Sequence, residues 1–307
     1  MAVGHRKSDN GFFSEHEIQY ISVNITRKEE FVKLPQEVYA VVHLAGAVPA
    51  RMEGYNPQKY IDTILTGTLN ILNYCLAAKA DRILFAQSIS DVAYLCKNNA
   101  LIDADSTRHF PQNNDHSIYS ICKNAAVDLI EHYYVKFGLK RFVLRFPNIY
   151  VFHPNPFYYY NGEKRWQSYR YIIEKAKRGE TIELWGNPEL KRDIVYVKDC
   201  TQIITKAVST SAMGGMYNVG TGIGTSMREQ IEGIVEVFSP LEKQSKIIMR
   251  PDKPDSVCYI MDVSKTMEEL GYSPKYDYRS YLQDMKQEMV EEPFKQLWGS
   301  ALEYMEH

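Results

Sequence analysis

The sequence predicts an α/β fold, a doubly wound parallel sheet with helices on both faces. Three apolar, strand-like segments at residues 41–46, 82–88 and 141–150 alternate with helical patterns. Strands that alternate with helices form parallel sheets covered by helices on both faces. With 307 residues, the chain is long enough for a large core or for two lobes. We therefore expect a parallel sheet plus a smaller α/β lobe.

The first apolar strand reads Val-Val-His-Leu-Ala-Gly over residues 41–46. It ends in small residues, which allow a ligand to approach the backbone closely. A helix is predicted next, over residues 56–78. Its apolar residues are expected to share one face, at Ile61, Ile64, Leu65, Leu69 and Leu72.

The second strand, residues 82–88, has Ser88 at its carboxyl end. Ligands of parallel sheets bind at the carboxyl ends of the strands, so Ser88 is a candidate site residue. The polar residues 95–117 predict an irregular loop beside that site. A long helix is expected over residues 118–137.

That helix contains Tyr119 and Lys123, four residues apart and therefore on one face. A nearby cation favours the tyrosinate and lowers the pKa of the phenol. Such a tyrosine can move a proton at a carbinol while a hydride leaves or arrives. The alternative is an ordinary helix-surface contact, because a chain with 23 tyrosines and 36 basic residues contains chance pairs of this spacing.

The remaining elements follow from local patterns. Residues 153–165 are rich in Pro, Asn and Tyr and predict a substrate-side loop. Tyr158, Tyr159 and Tyr160 either stack on a sugar or base or pack beneath a lid. Ser226 followed by Glu229 is a capping box at a helix start. Further predictions are helices at 167–178, 226–238 and 275–290, a strand at 181–185, and a third central strand at 141–150.

Composition narrows the function classes. A net charge of −2 gives no reason to expect nucleic acid or an anionic membrane as a partner. The five cysteines and eight histidines lack metal-ligand spacing, so we expect no metal. No apolar run approaches the ~20 residues of a membrane span, and the opening residues do not form a signal peptide. A cytoplasmic location is expected.

Three later segments carry further motifs. They read Lys-Arg-Asp-Ile-Val-Tyr-Val-Lys-Asp at 191–199, Gly-Met-Tyr-Asn-Val-Gly-Thr-Gly at 215–222 and Arg-Pro-Asp-Lys-Pro-Asp at 250–255. In this order, and with the Ser, Tyr and Lys above, they resemble the extended short-chain dehydrogenase/reductase family. The resemblance is to its NAD-dependent epimerase/dehydratase branch, which acts on nucleotide sugars, and it extends to about residue 290.

The resemblance implies a Rossmann-like fold and a set of site residues. The implied catalytic residues are Ser88, Tyr119 and Lys123. Implied cofactor contacts are His5, Arg6, Asn24, Ile25, Leu44, Ala45, Gly46, Tyr119, Lys123 and Pro147. Implied substrate contacts are Ser88, Asn148, Arg192 and Arg250, the two arginines at the diphosphate because a guanidinium fork matches two phosphate oxygens. The implied NAD(P)-binding domain spans 1–152 and 193–220, and the sugar-nucleotide lobe spans 153–192 and 221–300.

The chain departs from the family pattern at its start. The family opens with a strand, a Gly-rich turn and a helix whose N-terminus binds pyrophosphate, but residues 2–6 resemble the end of the second strand. On this resemblance about thirty residues of the pattern are absent, and we expect weak dinucleotide binding and an unpaired sheet edge. Asn24, Ile64 and Val151 stand where the family has Asp, Asn and Gly.

The implied activity is an NAD(P)-dependent epimerase or reductase acting on a nucleoside-diphosphate sugar. A dehydratase needs an acid/base pair close after the Ser, and here Asp91 is the one carboxylate offered. The alternatives are a cofactor-deficient relative that binds sugar nucleotides, or a truncated gene product. Arg6 and Lys7, with no acid before Asp9, favour NADP over NAD. A homodimer is possible.

Overall fold

The computed structural model describes residues 1–113 and 115–305, and at its centre lies a parallel four-stranded sheet. The strands are β1 (Ala2–Gly4), β2 (Tyr20–Ser22), β3 (Ala40–His43), β4 (Arg82–Ser88), β5 (Leu101–Ile102), β6 (Lys140–Phe146), β7 (Ile149–Tyr150), β8 (Phe157–Tyr160), β9 (Glu163–Trp166), β10 (Ile182–Trp185), β11 (Lys191–Asp193), β12 (Val195–Tyr196), β13 (Gly214–Asn218), β14 (Gly224–Ser226), β15 (Ile247–Arg250) and β16 (Ile260–Met261).

The helices lie between these strands. The α-helices are α1 (Phe12–Glu15), α2 (Pro57–Tyr60), α3 (Gly67–Ala77), α4 (Asp115–Phe137), α5 (Ser168–Lys177), α6 (Val197–Ser209), α7 (Met227–Phe238), α8 (Ser264–Leu270), α9 (Tyr278–Glu291), α10 (Lys295–Trp298) and α11 (Ala301–Met305). Short 3₁₀ helices span Lys28–Lys33, Pro49–Arg51 and Ile89–Leu95, and a π-helix spans Ile61–Thr66.

The central sheet has the strand order β13-β6-β4-β3, with every neighbouring pair parallel. Alternate residues of β4 enter different cores, because successive side chains of a strand point to opposite faces. Ile83 and Phe85 pack in the cluster that contains residues of α3 and α4, whereas Leu84 packs with Ile203 of α6. Helices therefore cover both faces, and the predicted doubly wound α/β fold is confirmed.

A second, two-stranded parallel sheet is formed by β1 and β2. In the part of the chain that the structure describes, neither strand pairs with the central sheet. A cavity of about 420 Å³ lies between the two sheets, and Val3, Ile25 and Leu44 are among its lining residues. Leu44 is 53% exposed, unlike the buried residues of β4. Apolar strand residues on either side of this cavity are thus only partly covered.

The helical segment from α2 to α3 contains a π-helical turn at Ile61–Thr66. Ile64 and Leu72 are buried as predicted, but Leu69 is 39% exposed and Ile71 is buried instead. A π-turn adds a residue to the helical repeat, which rotates the buried face after it: Ile71 turns inward and Leu69 outward, while Leu72 stays buried. The prediction of one regular face through Leu69 was wrong for this reason.

The second cluster of helices packs around β10 and β15. Ile173 of α5, Ile234 of α7 and Leu282 of α9 belong to one buried cluster there. The predicted capping box starts α7: the Glu229 amide donates to Ser226 Oγ at 3.1 Å, and the Ser226 amide donates to Glu229 Oε2 at 2.7 Å. Residues 167–178, 181–185 and 275–290 are largely helix, strand and helix as predicted.

Residues 153–165 do not form the predicted loop, because β8 and β9 pair as an antiparallel hairpin. The hairpin turns at Asn161 and Gly162, which have φ values of 51° and 79°. An Asn-Gly pair between aromatic, β-prone segments is a strong hairpin signal. The prediction of a loop, which rested on the Asn and Pro content, was therefore wrong.

Two other segments also differ from their predictions. The predicted strand at 141–150 is split into β6 and β7 at Pro147 and Asn148, in keeping with the missing amide donor of proline. Within residues 95–117, β5 pairs with β16, and α4 begins at Asp115. The β5–β16 pair links this segment to a much later part of the chain.

Candidate functional site

Ser88 lies at the carboxyl end of β4, in the centre of the parallel sheet. The strand ends there because the next residues turn into the 3₁₀ helix Ile89–Leu95, for which Ser88 is the N-cap. Its Oγ accepts a hydrogen bond from the Ser90 amide at 3.2 Å, and its own amide donates to Gln87 Oε1 at 2.8 Å. These contacts fix the hydroxyl at the carboxyl ends of the strands, where parallel sheets bind their ligands.

Tyr119 and Lys123 lie one turn apart on α4, which packs across β4. The Tyr119 phenol and the Ser88 hydroxyl share a hydrogen bond. Lys123 Nζ donates to the Ala86 carbonyl at 2.7 Å and lies 4.6 Å from the centre of the Phe85 ring. The structure therefore brings the three predicted catalytic residues together.

Burial determines how the two titratable groups of this trio behave. It raises the pKa of Tyr119, and the hydrogen bond from Ser88 offsets only part of that rise. The expectation that Lys123 would lower the pKa of Tyr119 is thus not met in this structure. Lys123 Nζ lies 5.9 Å from the centre of the tyrosine ring and donates to Ala86 instead. Burial also lowers the pKa of Lys123 from 10.5 to about 8.

Several predicted cofactor contacts surround Lys123 and the cavity between the sheets. A Cβ on Gly46 would lie 3.6 Å from Lys123 Nζ, so the chain after β3 passes directly beside the ammonium. Leu44, Ala45 and Gly46 are exposed. Ile25, Leu44 and Ala45 line the 420 Å³ cavity. The cavity lining thus leads along the chain from Leu44 and Ala45 to Gly46, beside Lys123.

His5 and Arg6 line a different cavity, of about 230 Å³, beyond the end of β1. Arg6 Nη1 donates to the carbonyl of Leu297, which lies in the C-terminal helix α10. One of the two cations expected to meet a 2′-phosphate, Arg6, is therefore already hydrogen-bonded to the protein, whereas Lys7 is exposed. His5 remains exposed.

Three other predicted residues occupy distinct environments. Asn24 Oδ1 accepts hydrogen bonds from the Thr26 amide at 3.0 Å and from the Thr26 hydroxyl at 2.9 Å, so it shapes the turn after β2. Pro147 is buried, and Asn148 is exposed just after β6. Asn148 lies at the same end of the sheet as Ser88, because β4 and β6 are parallel and Ser88 is paired with Phe146.

The two predicted diphosphate arginines differ in how they are bound. Arg192 Nε and Nη2 donate to the Val257 carbonyl at 3.0 and 2.6 Å. Arg250 pairs with Glu183 at 2.7 Å and with Asp252 at 2.9 Å. Arg250 can reach a diphosphate only by giving up carboxylate partners, whereas Arg192 is held by a backbone carbonyl. Their role at a diphosphate stays a prediction.

The hairpin β8–β9 packs against the 3₁₀ helix Pro49–Arg51 and the residues that follow it. Tyr159 Oη donates to Glu53 at 3.1 Å, and Arg51 Nη1 donates to the Phe157 carbonyl at 3.2 Å. The ring centre of Tyr160 lies 6.2 Å from that of His116. The two hydrogen bonds join the hairpin to residues 51–53, and stacking of the tyrosines on a ligand stays a prediction.

A buried ion pair between Asp91 and Arg145 was not predicted from the sequence. Each side chain is 1% exposed, and Arg145 Nε lies 3.0 Å from Asp91 Oδ1. The available signal was a charged residue inside the otherwise apolar end of strand β6. A guanidinium in such a place requires a buried partner, since an unpaired buried charge is very costly.

The residues present fit the nicotinamide end of a dinucleotide. Lys123 supplies a buried ammonium donor, Gly46 leaves room beside it, and the Tyr119 phenol faces Ser88. Among residues 1–113 and 115–305, no group of three His, Cys, Asp or Glu side chains is placed to bind a metal ion. No helix in the same residues is long and apolar enough to cross a bilayer.

The sequence was compared with models of known protein families. Residues 1–220 match the model described as the NAD dependent epimerase/dehydratase family. This match includes the strands and the helix that carry Ser88, Tyr119 and Lys123.

The chain is also similar to individual proteins. A putative UDP-glucose 4-epimerase of Methanocaldococcus jannaschii is 24% identical over 267 residues, covering 85% of this chain and 80% of that protein. The UDP-glucose 4-epimerase of Thermotoga maritima, solved with UDP-glucose, has a TM-score of 0.70 at 21% identity, covering 90% and 86% of the two chains. The UDP-glucuronic acid 4-epimerase of Bacillus cereus, solved with NAD, has a TM-score of 0.68 at 19% identity, covering 91% and 83%.

Proposed function

Since the chain belongs to the NAD-dependent epimerase/dehydratase family, we propose that it is a 4-epimerase of a nucleoside-diphosphate sugar. The observation that carries this proposal is the contact of Ser88 with Tyr119, with Lys123 one turn away, at the carboxyl end of the parallel strands. This trio can transfer a proton at a sugar hydroxyl. A reductase using the same residues is the alternative.

In this proposal, the phenolate form of Tyr119 accepts the proton of the sugar 4-hydroxyl on Oη and returns it later; because burial raises the pKa of this phenol, that form is favoured at alkaline pH. Ser88 Oγ hydrogen-bonds the same sugar oxygen and holds it against the phenol. Lys123 Nζ donates to the ribose next to the nicotinamide, beside Gly46. The dinucleotide, when bound, supplies the hydride acceptor and donor. Epimerisation requires that the ketone rotate within the site, so that hydride returns to its other face.

The state of Asp91 favours an epimerase over a dehydratase. Elimination across two sugar carbons needs a second acid/base group close to the Ser. Asp91 is the carboxylate nearest to Ser88 in sequence, but it is fully buried and bound by Arg145 Nε and Nη2 at 3.0 Å each. A carboxylate in that state is not available to a substrate.

We also propose NAD as the cofactor. The family is described by its dependence on NAD, and the comparisons give no support to the NADP preference inferred from Arg6 and Lys7. The cavity between the sheets, lined by Ile25, Leu44 and Ala45, is the proposed dinucleotide site.

For the substrate, we propose that the nucleoside diphosphate lies near Arg192, with residues 153–192 and 221–300 forming most of its site. Arg192 lies on β11 and donates to a backbone carbonyl rather than to carboxylates. A phosphate can therefore join it without displacing an ion pair. Arg250 is the second candidate. Dimer formation is a separate proposal, and analytical ultracentrifugation would test it.

The test is a panel of UDP- and dTDP-linked hexoses incubated with the protein and NAD, with product sugars identified by NMR. Tyr119→Phe is expected to lower turnover by about 10²-fold or more. Its affinity for the sugar nucleotide should change little, because the phenol acts mainly in the transition state. The matched control is Tyr133→Phe on the same helix, which removes a hydroxyl that donates to Asn73 at 2.7 Å.

Near-normal turnover in the Tyr119→Phe protein would reject the assigned trio. Sugar-nucleotide binding without turnover, together with no detectable NAD binding by calorimetry, would indicate a cofactor-deficient binding protein instead. A 4,6-elimination product would reject the argument based on Asp91.

A further inference from the structure

We propose that the buried ion pair of Asp91 and Arg145 is a positioning device that sets the placement of Ser88 and Tyr119 for the reaction. The inference rests on the proposed function, because it assigns a role within that site. Neither residue is exposed to a ligand, since both side chains are 1% exposed. They can act only through the residues that they hold.

The donors of Arg145 are used almost completely. Its Nε and Nη2 donate to the Asp91 carboxylate, and its Nη1 donates to the carbonyl of Ala104 at 2.9 Å and to Asn218 Oδ1 at 3.1 Å. A longer bond of 3.2 Å reaches the carbonyl of Asp103. A guanidinium with this set of partners has one orientation, because its donors form a rigid fork.

The pair connects directly to the turn that carries Ser88. Asp91 belongs to the 3₁₀ helix Ile89–Leu95, whose N-cap is Ser88. The Ser88 hydroxyl accepts from the amide of Ser90, the residue immediately before Asp91. Arg145 of β6 holds the Asp91 carboxylate in place. This contact therefore also fixes the first turn of the 3₁₀ helix, and with it Ser88 Oγ.

The same arginine joins that turn to two distant segments. Asn218 Nδ2 donates to the carbonyl of Ile102 at 2.7 Å and to that of Asp262 at 3.0 Å. Asn218 lies on β13, next to β6, and the hydrogen bonds hold β5 and the chain after β16 against it. One guanidinium thus ties the Ser88 turn to β6, to residues 103–104 and, through Asn218, to β13.

The charge of Asp91 also acts on Tyr119. Burial is the main cause of the raised pKa of this tyrosine, and the negative charge of Asp91 raises it further. Burial raises the pKa of Asp91 itself, and the charges of Arg145 and Arg108 favour its ionised form. The other groups around the tyrosine are Lys123, with Nζ 5.9 Å from its ring centre, and Tyr60, with ring centres 6.1 Å apart. His43, near Lys123, is neutral because burial lowers its pKa to about 3.

The first test is Asp91→Asn, which keeps an oxygen acceptor but removes the charge. We expect turnover to fall by about tenfold while the KM of the sugar nucleotide stays within about twofold, because the side chain touches no ligand. Loss of the negative charge should lower the pKa of Tyr119, and the acid limb of the pH–rate profile should move to lower pH.

Asp91→Glu separates position from charge. It keeps the carboxylate but moves it, so turnover should fall while the acid limb stays at its wild-type pH. The control is Asp81→Asn, which breaks a more exposed carboxylate's ion pairs with Arg82 and Lys140 at the opposite ends of β4 and β6. This control should lower stability without changing the KM or the pH profile.

A readout that does not need turnover is the titration of Tyr119 by NMR of protein with ¹³C-labelled tyrosine, assigned with Tyr119→Phe. A lower pKa of Tyr119 in the Asp91→Asn protein supports the proposal even if the wild type turns over no tested sugar nucleotide, which would reject the proposed function alone. Wild-type kinetics and an unchanged Tyr119 titration in both Asp91 variants would overturn it. Equal effects of Asp81→Asn on the pH profile would overturn it as well.

Discussion

Replacing Lys123 by methionine is expected to stabilise the folded protein at neutral pH. Burial lowers the pKa of this lysine from 10.5 to about 8, so the ammonium is less stable in the folded protein than in the unfolded chain. At 1.36 kcal/mol for each pH unit, this difference costs roughly 3 kcal/mol of folding stability at pH 7. Methionine keeps the apolar stem and removes the charge.

Methionine also loses the hydrogen bond from Nζ to the Ala86 carbonyl, which spans 2.7 Å. A charged donor of this kind contributes about 1.5–3 kcal/mol, so the net gain at pH 7 is expected to be about 1 kcal/mol. Between pH 8 and 10.5 the unfolded chain binds more protons at this lysine than the folded protein does. The stability of the wild type therefore rises with pH across that window, and the advantage of the variant should vanish or reverse by about pH 10.

The assay is urea unfolding followed by the fluorescence of the three tryptophans, at neutral pH and at about pH 10, for both proteins. Lys136→Met, at an exposed position in the last turn of α4, is the matched control and should change stability little at either pH. If Lys123→Met is less stable than the wild type by the same amount at both pH values, the reasoning about buried charge is wrong. Turnover should be lost in any case, because the proposed ribose donor is gone.

Two further predictions concern the fold. Ser226→Ala removes the N-cap of α7 and should cost about 1 kcal/mol in urea unfolding, without changing the KM of the sugar nucleotide; an unchanged midpoint would contradict the capping-box contacts. Gly214→Ala should cost at least about 2 kcal/mol, because alanine strongly disfavours its φ of 90° and a Cβ would overlap the Arg141 carbonyl oxygen. Gly54→Ala, where a Cβ would meet nothing within 4 Å, is the control and should be nearly neutral.

Local patterns in the sequence were sufficient to predict much of the framework. The apolar run of β4 is buried on both faces, and such a strand is readable from composition alone. The Ser226 and Glu229 pair predicted the start of α7 because a capping box is a contact between neighbours in the chain. The Tyr119 and Lys123 pair was likewise readable, since the helical repeat alone places the two on one face.

The errors arose where the local pattern carried two signals or where the helical repeat changed. Residues 153–165 contain both loop-like composition and the Asn161-Gly162 hairpin signal, and the hairpin formed. The π-turn at Ile61–Thr66 exposed Leu69, which a regular 3.6-residue repeat places inside. A prediction that assumes one repeat along the whole segment cannot anticipate that change of face.

The sequence by itself determined the α/β class, the positions of the central strands and the identity of the three proposed catalytic residues. The class and the strands depend on apolar periodicity, whereas the three residues were named from their spacing together with the resemblance to a known family. Only the tertiary structure decided the ionisation of the site, because the pKa of Tyr119 rises and that of Lys123 falls with burial, which many separate elements create together. It alone also paired Asp91 with Arg145, 54 residues away, since such a contact depends on how β4 and β6 lie side by side.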